Sequence, residues 1–167
     1  MILGMSLATF TTVHVIISLI AIVAGIIVIF GLLGSNRMPG MTAIFLLFTI
    51  LTSVTGFLFP FNGVTPGDII GALSLVLLAI ACIALYGMKL SGAWRWIYVV
   101  TAVISLYFNV FVLVIQSFLK IPALHALAPG EPPGGPVFGV VQGIVLVFFV
   151  LVIIGAIRRF RPAPAFA

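Results

Sequence analysis

Few side chains in this sequence could do chemistry, and they are thinly spread. There are two acids, Asp68 and Glu131, two histidines, His14 and His125, and one cysteine, Cys82. Two histidines brought together by a folded-back loop could ligate a metal or a b-type haem. Haem with two histidine ligands is usually held by facing helices, however, and His125 falls in a connection between apolar segments. The expected state of His14 is therefore a hydrogen bond to a neighbouring carbonyl or threonine, with no cofactor. One cysteine excludes an intramolecular disulfide and a multi-cysteine metal site, and Cys82 reads as a small packing residue. The chain has no H-E-x-x-H, G-x-S-x-G, phosphate loop or C-x-x-C. Intramembrane hydrolysis by a Ser-His or paired-Asp site also lacks its residues, so no catalytic residue is assigned and no enzyme is expected.

The amides are the better pointer. The stretch "YFNVFVLVIQSF" places Asn109 and Gln116 in otherwise apolar sequence. Unpaired amides are costly in hydrocarbon, so both should face other helices. With His14, Thr52, Thr55 and Gln142 they form a candidate ligand-binding set. Two interpretations stand side by side. The residues could be interhelical hydrogen-bond glue, contributing about 0.6 to 2 kcal/mol each. Alternatively, they could line a pocket for a small apolar or amphipathic ligand such as a quinone, a lipid or haem.

The elements that must carry these residues follow from composition. At 64% hydrophobic and 5% charged residues, the chain could not cover a water-facing surface with polar groups. Five apolar segments, about 10–33, 41–59, 69–88, 94–119 and 137–157, each match the roughly 17 to 25 residues that cross a bilayer core as a helix. Between them lie "GSNRMPG", "PFNGVTPGD" and "APGEPPGGP", whose glycines and prolines cannot continue a helix. The sequence predicts an all-α membrane protein, a bundle of five transmembrane helices with short loops. No Lys or Arg precedes Arg37, so the first segment lacks the basic start of a signal peptide and is expected to remain as an anchor. The longest connection, from Lys120 to Pro136, is too short for a core of its own and is expected to lack regular structure.

Basic residues give the orientation. One alternating set of connections holds Arg37, Lys89, Arg95, Arg158, Arg159 and Arg161, whereas the other holds only Lys120. By the positive-inside rule the N-terminus lies outside and the C-terminus in the cytoplasm. The net charge of +5 is thus spread over cytoplasmic loops and the end of the chain, which favours anionic lipid headgroups over nucleic acid as its partner. Trp94 and Trp96 flank Arg95 as interfacial anchors.

Helical phase then aligns the scarce polar groups. Thr101, Ser105, Asn109 and Gln116 share one stripe of the fourth helix; Thr11, His14 and Ser18, continuing into Ala21 and Gly25, share one of the first; Thr49, Thr52 and Thr55 mark the second. Three inward stripes imply a polar interior widening toward the outside. "TPGD" reads as a capping box, with Thr65 at the N-cap, Pro66 following and Asp68 as the acid that closes it. Gly135, Gly139 and Gly143 repeat every fourth residue and allow close approach of another helix, within the bundle or from a partner.

"LTSVTGFLFPF", "GAWRWIYVVTA", "LYFNVFVLVIQSF" and "PALHALAP" resemble blocks of a family of small bacterial integral membrane proteins of unassigned function. The resemblance runs over about residues 7–162 and implies a bacterial inner-membrane location and no particular activity. A non-enzymatic accessory protein that packs against partner helices, or against copies of itself, ranks first; a ligand binder ranks second. A transporter ranks third, because five helices cannot be split into two equal inverted repeats and no buried proton relay is present. If the orientation holds, a cysteine placed at Gly63 or Gly130 is labelled by a periplasm-restricted thiol reagent and one at Ser91 is not; labelling at Ser91 alone inverts the topology.

Overall fold

The Ser6 hydroxyl accepts a hydrogen bond from the Thr9 N–H and starts the first helix just ahead of its apolar run, α1 at Leu7–Leu33. This opening belongs to a computed structural model that describes residues 1–163. The other helices are α2 at Pro39–Gly56, α3 at Pro66–Cys82, α4 at Trp94–Lys120, α5 at Pro122–Leu127 and α6 at Gly135–Arg159. A π-helical turn, Ile83–Gly87, prolongs α3. Together with that turn, five of these helices are long and apolar enough to cross a membrane. No strand occurs among the described residues.

Local chemistry sets the ends. Thr65 accepts from the Asp68 N–H at 3.2 Å, and Asp68 Oδ2 accepts from the Thr65 N–H at 2.8 Å, the reciprocal pair of a capping box. Pro66 takes the first helical position, so α3 begins before the apolar run at 69. The helix α2 stops at Gly56, short of the predicted end at 59, because Phe57, Leu58 and Phe59 close turns onto Val54, Thr55 and Gly56. The connection after α4 departs from expectation. Its glycines and prolines gather at 129–136, and "PALHAL" before them, with Pro122 at the first position, forms α5.

In the packed bundle α4 is the hub and touches α1, α2, α3 and α6. Closest approach occurs at Gly25 of α1. A Cβ added there would lie 2.6 Å from Leu106 of α4 and 3.0 Å from Phe45 of α2, both almost fully buried. The missing side chain lets three helices meet at one level. Nearer the basic end of the bundle, Tyr98 of α4 is buried with its side chain beside Thr42 of α2, which is buried too. These two contacts fix the register of α2 along α4. By contrast, only 17% of the most apolar stretch of α6 is buried, against 44% for α1 and for α4. α6 is the peripheral helix.

Replacing Gly25 with leucine should overpack this junction at a cost of about 1 to 3 kcal/mol, offset in part by better helix propensity. The expected result is a lower unfolding temperature in detergent micelles, whereas Gly40, which has nothing within 4 Å of an added Cβ, should accept alanine without loss.

Candidate functional site

Apart from Thr55, the hydroxyls along the three polar stripes do not reach across helices. Thr49 donates to Phe45 O at 2.7 Å, Thr52 to Phe48 O at 2.8 Å, Thr101 to Ile97 O at 2.7 Å and Ser105 to Thr101 O at 2.8 Å. Thr11 and Ser18 likewise bond to Leu7 O and Val15 O of their own helix. In hydrocarbon a serine or threonine satisfies itself most easily on the carbonyl three or four residues back, since that oxygen is already within reach. Most of the expected glue is therefore local, and Thr52 is part of it.

Two side-chain bonds do join spanning helices in the N-terminal half of the bundle. Nδ1 of His14, on α1, lies 2.7 Å from Thr55 Oγ1 on α2. The Thr55 hydroxyl also has Leu51 O at 2.7 Å and Thr52 O at 3.2 Å within its own helix, so when its proton serves either carbonyl it accepts from the His14 Nδ1–H. Phe59 meets the His14 ring edge-on at 5.2 Å. The second bond runs from Gln142 Nε2 on α6 to Phe111 O on α4, at 3.1 Å. Gln142 is buried, yet its Oε1 has no partner.

Asn109 is half-buried, and its Nδ2 is enclosed without an acceptor. Gln116 departs from the sequence expectation of an inward face and is exposed. The register explains this: with Thr42 beside Tyr98, α2 ends at about the level that Gln116 reaches, so nothing of α2 covers it. His125 sits on α5, where its Nδ1–H donates to Phe118 O at 3.2 Å. No hydrogen bond links His14 with His125 among the described residues, and no group of three or more His, Cys, Asp or Glu gathers there to hold a metal. The six candidates thus form one pair on α1 and α2, one contact between α6 and α4, and separate residues rather than a single lined pocket.

The glycine stripe is also relocated. Gly135, Gly139 and Gly143 are exposed, and a Cβ built at any of them meets nothing within 4 Å. Within this chain they pack against no helix.

Sequence reasoning missed the polar contacts at the basic end. Arg95 Nη1 donates to Phe160 O at 2.6 Å and to Ile157 O at 3.0 Å, closing the final turn of α6. An arginine paired with a helix C-terminus is a recognisable combination, but only the fold shows which helix it serves. A cleft of about 230 Å³ lies between α4 and α6, with Ile104, Tyr107, Phe108, Leu146, Phe149 and Val150 among its walls.

No family model matches the chain, and neither a curated protein nor a solved structure does.

Because the amide of Asn109 makes no hydrogen bond, its replacement by leucine should leave the unfolding temperature of the purified bundle unchanged or raised. A drop of about 1 kcal/mol or more would show that the amide is bonded to a bound molecule. Thr55→Val, in contrast, leaves His14 Nδ1 without its partner and should cost about 1 to 2 kcal/mol, read as a lower unfolding temperature that His14→Phe largely restores in the double variant.

Proposed function

We propose that this is a small multi-pass protein of the bacterial inner membrane that acts without catalysis, by packing α6 against a membrane helix of a partner or of a second copy. Its N-terminus lies outside and its C-terminus in the cytoplasm, as the six-to-one distribution of basic residues favours. The observation that supports the packing role is the open glycine face. Gly139 and Gly143 have no neighbour of their own chain, Val140 and Ile144 beside them are well exposed, and the whole helix is held by a narrow seam. Small residues flanked by β-branched ones let two membrane helices touch backbone to backbone, where dispersion and weak Cα–H contacts hold them. Arg158 and Arg159, exposed at the end of α6, suit contact with anionic headgroups beside that seam.

A second reading is favoured by the cleft between α4 and α6. Gln142 stands one helical turn from Leu146 at the margin of the cleft, with Oε1 unpaired. An amphipathic molecule with a hydrogen-bond donor at its head and hydrocarbon in the cleft suits that arrangement. Haem does not, because neither histidine is among the residues lining it.

The packing role is tested at Gly139. A Cβ added there meets nothing within 4 Å on an exposed face, so with leucine the unfolding temperature of the purified protein should stay unchanged, while recovery of the dimer or of the co-purified partner helix falls by roughly tenfold, a loss of about 1.4 kcal/mol in association. Undiminished association in that variant would show that the stripe faces lipid alone.

A further inference from the structure

The basic end of the bundle holds a more specific feature than a scatter of positive charge. Residues 34–38 connect α1 to α2, and the chain after α6 folds back onto them: the Arg161 N–H donates to the Ser35 hydroxyl at 2.8 Å. Three further contacts hold that segment in place. Arg95 grips the Phe160 carbonyl, the Phe160 ring is buried, and it packs 6.1 Å from the Tyr98 ring. On the other side, the Asn36 side chain accepts from the Met38 N–H at 3.1 Å and the Asn36 N–H donates to Gly31 O at 2.8 Å. The Arg37 carbonyl accepts from the Thr42 hydroxyl at 2.9 Å. Both backbones are therefore fixed before any ligand arrives. Arg37 follows Ser35 by two residues, so their Cα atoms are at most about 7 Å apart and the Arg37 and Arg161 side chains leave the same small region.

The charges there are uncompensated. Nε of Arg37 is buried with no acceptor, and no side-chain hydrogen bond or ion pair is formed by Arg37 or Arg161 among the described residues. The two acids of the chain lie at the opposite end, Asp68 in the first turn of α3, where it is occupied in the capping box, and Glu131 in the connection before α6. Helix dipoles do not change the sign: α1, α3 and α6 end at this face while α2 and α4 begin at it, an excess of one C-terminal end against six basic side chains. The enclosed Nε draws no acceptor from the protein, and the terminal N–H groups of the partly exposed Arg37 also have none, so a phosphate oxygen is the acceptor whose geometry fits that end of the fork.

We propose that Arg37 and Arg161, joined through the Ser35–Arg161 bond, form a binding site for a phosphate group, supplied by the headgroup of an anionic phospholipid. The site does not depend on which leaflet the basic end faces. It is distinct from diffuse attraction to Arg158 and Arg159, because among the described residues the unpartnered Arg37 guanidinium and the Ser35–Arg161 bond occur together at one place.

The test measures lipid retention by native mass spectrometry of the full chain, released from nanodiscs of phosphatidylcholine with one-fifth phosphatidylglycerol. The wild type should retain phosphatidylglycerol in preference to phosphatidylcholine. Arg37→Gln should lower that retention by roughly tenfold, the scale of one bidentate charge-assisted contact, and Arg159→Gln by less than about twofold. Arg37 makes no side-chain bond within the protein, so its variant should keep the wild-type circular dichroism and unfolding temperature. Equal losses in the two variants, or no preference for phosphatidylglycerol, would overturn the site. Displacement of the lipid by millimolar inorganic phosphate, with the same dependence on Arg37, would assign the pocket to free phosphate and overturn the lipid as its source.

Discussion

Hydrocarbon offers no hydrogen-bond partner, and that single constraint organises this molecule. Backbone groups turn inward on themselves as helices, and the hydroxyls of Thr49, Thr52, Thr101 and Ser105 follow the same logic by bonding to carbonyls of their own helix. Among the described residues, three buried side-chain atoms escape the rule: Asn109 Nδ2, Gln142 Oε1 and Arg37 Nε. In a structure so thoroughly self-satisfied, these are the places where another molecule has something to gain by binding. Two of them lie on helices that meet in the N-terminal half of the bundle, and the third lies in the loop at the basic end.

Packing divides the bundle into a core and an attachment. Gly25 lets α1, α2 and α4 meet at a junction where an added carbon would press on Leu106 and Phe45, and Tyr98 beside Thr42 joins α4 to α2 nearer the basic end. α6 is secured differently. Arg95 holds its last carbonyls, Gln142 reaches the Phe111 carbonyl, and Phe149 stacks near Tyr107 at 5.6 Å, but much of its surface stays uncovered. A helix held against α4 and, near Leu33 and Gly155, against α1 can present its remaining face to a partner without loosening the core. The open glycines and the cleft beside Phe149 both belong to this helix, which explains why the two functional readings converge on α6.

The polar groups at the two ends differ in kind. At the N-terminal end the His14–Thr55 pair, the Thr65–Asp68 box and the His125–Phe118 contact are neutral or locally closed arrangements that leave little charge to attract a ligand. At the basic end, cations outnumber acids completely, and Phe160 and Arg161 after α6 are held among them. Anionic partners are therefore favoured at one end of the bundle only.

Class and span were legible from the sequence because they depend on quantities summed along the chain. Hydropathy over about twenty residues marks a crossing helix whatever its neighbours do, and Thr65, Pro66 and Asp68 make their capping box from atoms within four residues of one another. Helical phase also identified the residues with something to bond, but not the partner each would choose. Gln116 shares a stripe with Asn109, yet its exposure depends on where α2 happens to end. The glycines at 139 and 143 have the spacing of a packing face, and only the placement of α6 turns that face away from the bundle. The clasp between Ser35 and Arg161 joins residues far apart in the chain, and no periodicity announces it. Local sequence determines helices and caps because their hydrogen bonds close within a turn; which faces meet is decided by the packing of all five helices at once, and so appears only in the tertiary structure.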